Sequence, residues 1–248
     1  MTYCLAMKLA EGIVFLSDTR TSAGVDNISI YRKLHVINPA PDRAFVIQSA
    51  GNLATTQEVL DRIDRDLHAD DGRETLATVG RLFEAALYLG RLSRDVVASH
   101  RDALAASGAD GTATFILGGQ IEGEVPEIFL VYPEGNYIRS SKTRPFLQIG
   151  ETKFGKFWLE LATLVHPDLD VATKIALGSM LSTTRANLSV GPPFDLAVYR
   201  NDSLSFDEHR IEADSDYLVE IQHRFVKHLM GALDELPPIP WSESSTFS

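Results

Sequence analysis

A threonine at position 2, an aspartate at 18 and a lysine at 33 are residue types that together can attack a carbonyl carbon. A methionine followed by a small residue is normally trimmed in cells, so loss of Met1 leaves Thr2 with a free α-amine. Such an amine has an ordinary pKa of roughly 7.7–8.0, so near neutrality a useful fraction is neutral and can accept a proton. One residue then holds nucleophile and base together, since an adjacent α-amine is one of the groups that activate a threonine hydroxyl. The γ-methyl stiffens χ1 and fixes where the oxygen points. Lys33 is the candidate positive charge beside the alkoxide. A buried lysine keeps its charge by pairing with a carboxylate, and Asp18 is the nearest acid. Spacing alone fits equally a half-buried salt bridge beside an ordinary first strand.

The elements that must position these groups begin with a hairpin. Two apolar runs of strand length, residues 2–10 and 13–18, meet at Ala10, Glu11 and Gly12. A three-residue loop would put Gly12 in the left-handed conformation, which glycine adopts without strain. Residue pairs then sum to about 22, placing Thr2 opposite Arg20 and Cys4 opposite Asp18 on one face, with facing Cβ atoms roughly 4.5–5.5 Å apart. Short strands follow at Leu34–Asn38 and Arg43–Gly51, separated by the turn composition of Pro39 and Pro41. At Gly51 the chain turns into a helix, for which Thr55 and Glu58 form a capping box and Val59, Ile63 and Leu67 the apolar stripe. A glycine N–H beside a helix start is a candidate oxyanion donor; the plainer reading is a strand-to-helix turn.

Farther on, Thr75 to about Ala106 reads as a long amphipathic helix, 108–121 and 126–138 as a second strand cluster, and Pro145–Glu151 as a strand. Helices are expected from Thr152 to about Val165 and from Val171 to about Arg185. Strands at Phe194–Tyr199 and Ser203–Ile211 precede a last helix from Asp214 or Ser215. A single domain over 1–236 and a proline-rich tail over 237–248, bearing Trp241, are expected. Periodicity alone reaches an α+β class.

Thr2, Gly12, Ser17, Asp18, Thr19, Arg20, Gly24, Arg32, Lys33, Ser49, Ala50 and Gly51 fall in the order and spacing of proteasome β-subunits and the related bacterial ring proteases. The chain therefore resembles the N-terminal nucleophile hydrolases. The stretches 27–38 and 49–60 look most like the bacterial ancestral β-subunit (Anbu) branch. The resemblance covers most of the chain and implies a four-layer αββα sandwich, a homo-oligomeric ring and a threonine peptidase or amidohydrolase working through an acyl-enzyme.

Residue by residue, the resemblance makes Thr2 the nucleophile, Asp18 the acid that orients the lysine, Lys33 that lysine, Arg20 a structural arginine and Gly51 the oxyanion donor. Thr21 and Ser49 match positions lining the substrate pocket. The segment from Gly24 to Lys33 is a residue shorter than in a typical β-subunit, and Lys33 fits better than Arg32 because Leu34–Asn38 follow it directly. Two departures stand out. Glu151 occupies the place of a serine beside the nucleophile, and an acid there binds the amine and raises its pKa. With Ser189 aligned on the family serine, Ala186 takes the place of the acid that holds the terminal amine, leaving Asn187 as the nearest polar substitute. These departures keep two further readings open, a catalytically weak ring scaffold and a hydrolase of small amides.

Composition narrows the classes. The chain has 248 residues, 44% hydrophobic, and a formal charge of −11, the opposite of a nucleic-acid footprint. It has no apolar run long enough for a membrane span and no signal-peptide layout, so a cytoplasmic protein is expected. Cys4 is the only cysteine and reads as packing. The histidines show no metal-ligand spacing, no GxSxG elbow is present, and neither cofactor nor metal is expected. The expected partners are further copies of the chain and a peptide or small amide substrate; an unfoldase is left unassigned.

Overall fold

The computed structural model describes residues 2–22 and 28–239. Met1, Gly24 and Trp241 lie outside the described residues. Strands β1 (Tyr3–Lys8) and β2 (Gly12–Asp18) form the expected hairpin, but its register differs by one residue. Cys4 pairs with Ser17 and Lys8 with Ile13. The Leu9 N–H donates to the Gly12 carbonyl at 2.8 Å, so the chain reverses between Ala10 and Glu11. Gly12 is not left-handed. Its glycine is explained by approach instead, because a Cβ there would sit 1.9 Å from the Tyr199 carbonyl oxygen. A one-residue slip exchanges the faces of a strand. Cys4 and Ser17 therefore share the inward face, and Asp18 turns to the other side with Tyr3.

The polar crossing after β2 forms two short strands, β3 (Arg20–Ser22) and β4 (Ile28–Ile30). Next come β5 (Leu34–Ala40) and β6 (Arg43–Gly51), then helices α1 (Leu53–Leu67), α2 (Leu82–Ser99) and α3 (Arg101–Ser107). Four strands follow: β7 (Ala113–Ile121), β8 (Glu127–Val131), β9 (Tyr137–Arg139) and β10 (Phe146–Gly150). Helices α4 (Lys156–Val165) and α5 (Leu169–Ala186) precede β11 (Phe194–Arg200), β12 (Phe206–Ile211) and α6 (Asp216–Asp234).

Two antiparallel five-stranded sheets result, ordered β10-β1-β2-β11-β12 and β5-β6-β7-β8-β9. Cys4, Ala6 and Phe15 from the first and Val46, Ile116 and Leu130 from the second share one buried core. Phe45, Phe115 and Phe129, on alternate positions of the second sheet, form another with Val59 and Ile63 of α1 and Leu89 of α2. α5 packs on β1 and β2. Alternation along the strands thus supplies both cores, as period-two patterning requires.

Two helix starts differ from expectation. α1 begins earlier than the Thr55–Glu58 signal, because Asn52, extended at the end of β6, caps it by accepting the Thr55 N–H at 3.1 Å. The Thr55 hydroxyl instead donates to the Gly111 carbonyl. The long helix expected from Thr75 is a turn as far as Gly80. It becomes helical at Leu82, where Glu84 accepts the Gly80 and Arg81 N–H groups, and breaks at His100.

The chain divides into two compact units at Ala213 and Asp214. The second contains α6, capped by the Ser215 hydroxyl on the Leu218 N–H, with Val219, Leu229, Met230 and Leu233 exposed. Among the described residues no helix is long and apolar enough to cross a membrane.

Candidate active site

The site forms where β1 begins, β2 ends and the loop between α5 and β11 returns. Lys33 lies just before β5 with its side chain buried, and its ammonium donates to Asp18 Oδ1 at 2.8 Å and to the Arg20 carbonyl at 2.6 Å. The same Asp18 oxygen accepts the Tyr3 N–H at 2.9 Å, and Oδ2 accepts the Gly191 N–H at 3.4 Å. Burial pushes the Asp18 carboxyl up, against the pull of the Lys33 ammonium and these backbone donors. A fully buried carboxylate is held this way because charge and hydrogen bonds offset its desolvation.

Thr2 is half-buried and continues β1 against the end of β10. Its carbonyl accepts the Glu151 N–H at 2.8 Å. It does not lie opposite Arg20, as the slipped hairpin register explains. Gly150 is left-handed, with φ of +83°, and a Cβ there would stand 1.9 Å from the Thr2 carbonyl oxygen. In the sequence Gly150 shows only as the glycine of an Ile-Gly-Glu run near the end of an expected strand.

The α5–β11 loop closes the other side. Arg20 donates to the Leu188 carbonyl at 2.9 Å, and its guanidinium fills the space above Gly191. Ser189 is half-buried and its N–H donates to Asn187 Oδ1 at 3.0 Å. Asn187 in turn donates through Nδ2 to Glu151 Oε2 at 3.1 Å. Glu151, one departure from the family pattern, is therefore bonded to Asn187, the polar substitute beside the other, while Ala186 is exposed at the end of α5.

Gly51 ends β6 with φ of +114°, next to the Asn52 cap. Thr21 sits in β3 opposite Ser29. Ser49 is buried, and its N–H donates to the Lys33 carbonyl at 3.0 Å. Cys4 faces the Ser49 carbonyl at 3.7 Å, and burial pushes its thiol up, in keeping with a packing role. Asp195, missed in the sequence, is buried in β11 across from Ser17. Its closest cations are Arg210 at 3.4 Å and Arg32 at 3.8 Å.

Solved structures resemble this arrangement over nearly the whole chain. Anbu (ancestral β-subunit) from Yersinia bercovieri is 40% identical with a TM-score of 0.88, covering 96% of this chain and 99% of that one. The helical assembly of the Anbu complex from Pseudomonas aeruginosa is 39% identical with a TM-score of 0.91, covering 98% and 100%. The chain belongs to the Anbu family. Anbu from Hyphomicrobium sp. strain MC1 is similar too, at 41% identity and a TM-score of 0.85, covering 96% and 99%. No family model and no curated protein matches the chain. The ancestral β-subunit branch expected from residues 27–38 and 49–60 is thus the one that the Anbu structures support.

Proposed function

We propose that this Anbu-family chain is an N-terminal threonine amidohydrolase, in the first instance a peptidase, built as a four-layer αββα sandwich. The observation that carries the reading is the buried Lys33 ammonium on Asp18 Oδ1, beside the N–H of the residue that follows Thr2. After removal of Met1, the Thr2 hydroxyl attacks the amide carbon, and its proton passes to the α-amine of the same residue. Lys33 stabilises the developing alkoxide, and the Gly51 N–H receives the oxyanion. The C–N bond breaks, the amine product leaves with the proton, and an ester remains on Thr2. Water then attacks that ester and releases the acid, restoring the hydroxyl.

Glu151, Asn187 and Ser189 take the place of the serine and acid pattern around the terminal amine, and Thr21 and Ser49 line the pocket for the acyl part of the substrate. The helical assembly of the Pseudomonas aeruginosa relative supports self-association of this chain, which we take to be a ring or an open turn of one.

The Glu151–Asn187 bond also favours a second reading. An acid at the amine keeps it protonated and leaves less of it free to take the hydroxyl proton near neutrality, which suits a weakly active scaffold. Intact mass of protein from its host, followed by treatment with a peptide epoxyketone, separates the two. Loss of Met1 with one adduct on Thr2 supports the hydrolase; a Met-free protein that takes up no adduct supports the scaffold.

A further inference from the structure

We propose that Tyr3 is a positioning residue: its buried hydroxyl holds residues 151–155, and with them the Glu151 carboxylate, at the end of β1 where Thr2 would present its amine. The proposal deepens the hydrolase reading and rests on it for the amine, which exists only once Met1 is lost.

Alternation along β1 sets Cys4 and Ala6 between the two sheets and turns Tyr3 to the other face, towards α5. Tyr3 is fully buried, and its backbone N–H is the one that Asp18 Oδ1 accepts. The far end of the same side chain reaches two further groups. Its hydroxyl lies 2.6 Å from Ser179 Oγ of α5 and 3.1 Å from Gln148 Oε1 of β10. Each of these partners in turn holds one carbonyl of the segment that links β10 to α4. Gln148 Nε2 donates to the Thr152 carbonyl at 3.1 Å, and Ser179 Oγ donates to the Gly155 carbonyl at 2.9 Å. At the head of that segment stands Glu151, whose N–H donates to the Thr2 carbonyl at 2.8 Å.

The segment closes tightly on the tyrosine. A Cβ on Gly155 would stand 2.3 Å from the Tyr3 hydroxyl oxygen and equally close to Ser179 Oγ. Phenylalanine would fill nearly the same volume, so the hydroxyl is what tyrosine adds here. A buried hydroxyl costs desolvation unless it is bonded, and both of its bonds go to the supports of one segment. Burial pushes the hydroxyl up, so it stays a neutral donor. Without it, the Gln148 amide and the Ser179 hydroxyl are free to turn, and the Thr152 and Gly155 carbonyls lose their fixed donors. A carboxylate that drifts from an ammonium stabilises it less, and the amine pKa falls.

The test uses the full chain released from an N-terminal fusion, so that Thr2 comes first. Trace acetic anhydride is applied across a pH series, and acetylation of the Thr2 amine is read by mass spectrometry of the N-terminal peptide. Only the neutral amine reacts, so the midpoint reports its pKa whether or not the chain is a hydrolase. The wild-type midpoint should lie above that of Glu151→Gln. Tyr3→Phe should lower it by roughly half a pH unit, seen as about threefold faster acetylation below the midpoint. Tyr3→Phe combined with Glu151→Gln should shift it no further than Glu151→Gln alone, since residues that act through one another do not add. Ser179→Ala, which spares the ring and removes the donor to Gly155, should shift it in the same direction and decides the matter if Tyr3→Phe does not fold. An unmoved midpoint in folded Tyr3→Phe or Ser179→Ala, a Tyr3 shift that adds to that of Glu151→Gln, or equal midpoints in wild type and Glu151→Gln overturns the proposal. Epoxyketone labelling of the same proteins reports on the hydrolase reading alone: no adduct, with the midpoints shifted as expected, removes catalysis and leaves the positioning role in place.

Discussion

The ammonium of Lys33 and the backbone N–H of Tyr3 meet on the same oxygen of Asp18, at 2.8 Å and 2.9 Å. One carboxylate therefore fixes both the candidate charge and the backbone of the residue adjoining Thr2. Replacing Asp18 by Asn keeps the shape and strands a buried ammonium. We expect a loss of roughly 3–5 kcal/mol in urea unfolding and no epoxyketone adduct. Wild-type labelling in a folded Asp18→Asn protein would remove Asp18 from the site.

Lys33→Ala leaves Asp18 without its cation, and burial already pushes that carboxyl up, so it can take a proton and remain inside. The variant is expected to stay folded by circular dichroism and to take up no adduct. An unchanged labelling rate contradicts the role given to Lys33.

Gly150→Ala tests the placement of Thr2. A methyl there would overlap the Thr2 carbonyl, so the strand end must shift, and the left-handed φ adds about 1–2 kcal/mol. Labelling should drop at least about tenfold in protein that remains folded. Equal labelling would mean that the strand end shifts without moving the hydroxyl.

On the proposed reading, Glu151→Gln removes a negative charge from beside the amine that loss of Met1 would free on Thr2. A carboxylate favours the ammonium, so its loss lowers the amine pKa. The rise of labelling rate with pH should move to lower pH in the variant. A midpoint that does not move places Glu151 too far away to act on the amine.

Asp195 carries a different pH signature. Burial pushes its carboxyl above the ordinary 3.8, with Arg210 and Arg32 opposing, and Oδ2 has no hydrogen-bond partner among the described residues. The folded state thus keeps a proton where the unfolded chain has lost it. Its contribution to stability is complete below the ordinary range and is lost as pH rises through the higher folded value. Asp195→Asn should flatten that part of the profile and raise stability at pH 7 by on the order of 1 kcal/mol. Thermal unfolding across pH measures this; a variant less stable at pH 7 counts against it.

What the sequence disclosed follows the length scale of each signal. β6 is legible to the residue because Pro41 and Asp42 bound one end and Gly51 the other. β3 is polar, and β4 alternates over only Ile28, Ser29 and Ile30, too short a run to be read as a strand. The hairpin register escaped because a two-residue and a three-residue turn both fit Ala10, Glu11 and Gly12. The deciding contact, Gly12 against Tyr199, is between strands far apart in the chain. Glu151 is visible as a departure and Asn187 as the polar residue beside another, at Ala186, but their bond joins the end of β10 to the end of α5 and exists only in three dimensions.

The order of strands also sets a timetable for synthesis. β1 and β2 leave the ribosome first, yet their sheet neighbours are β10 and β11, and Asp18 obtains the Gly191 N–H only from the loop before β11. A nascent chain that stops short of that loop has its threonine but lacks the carboxylate's last backbone donor and the strand that covers β2. The earliest-made segment is thus completed by one of the latest, so a truncated product is born without a finished candidate site.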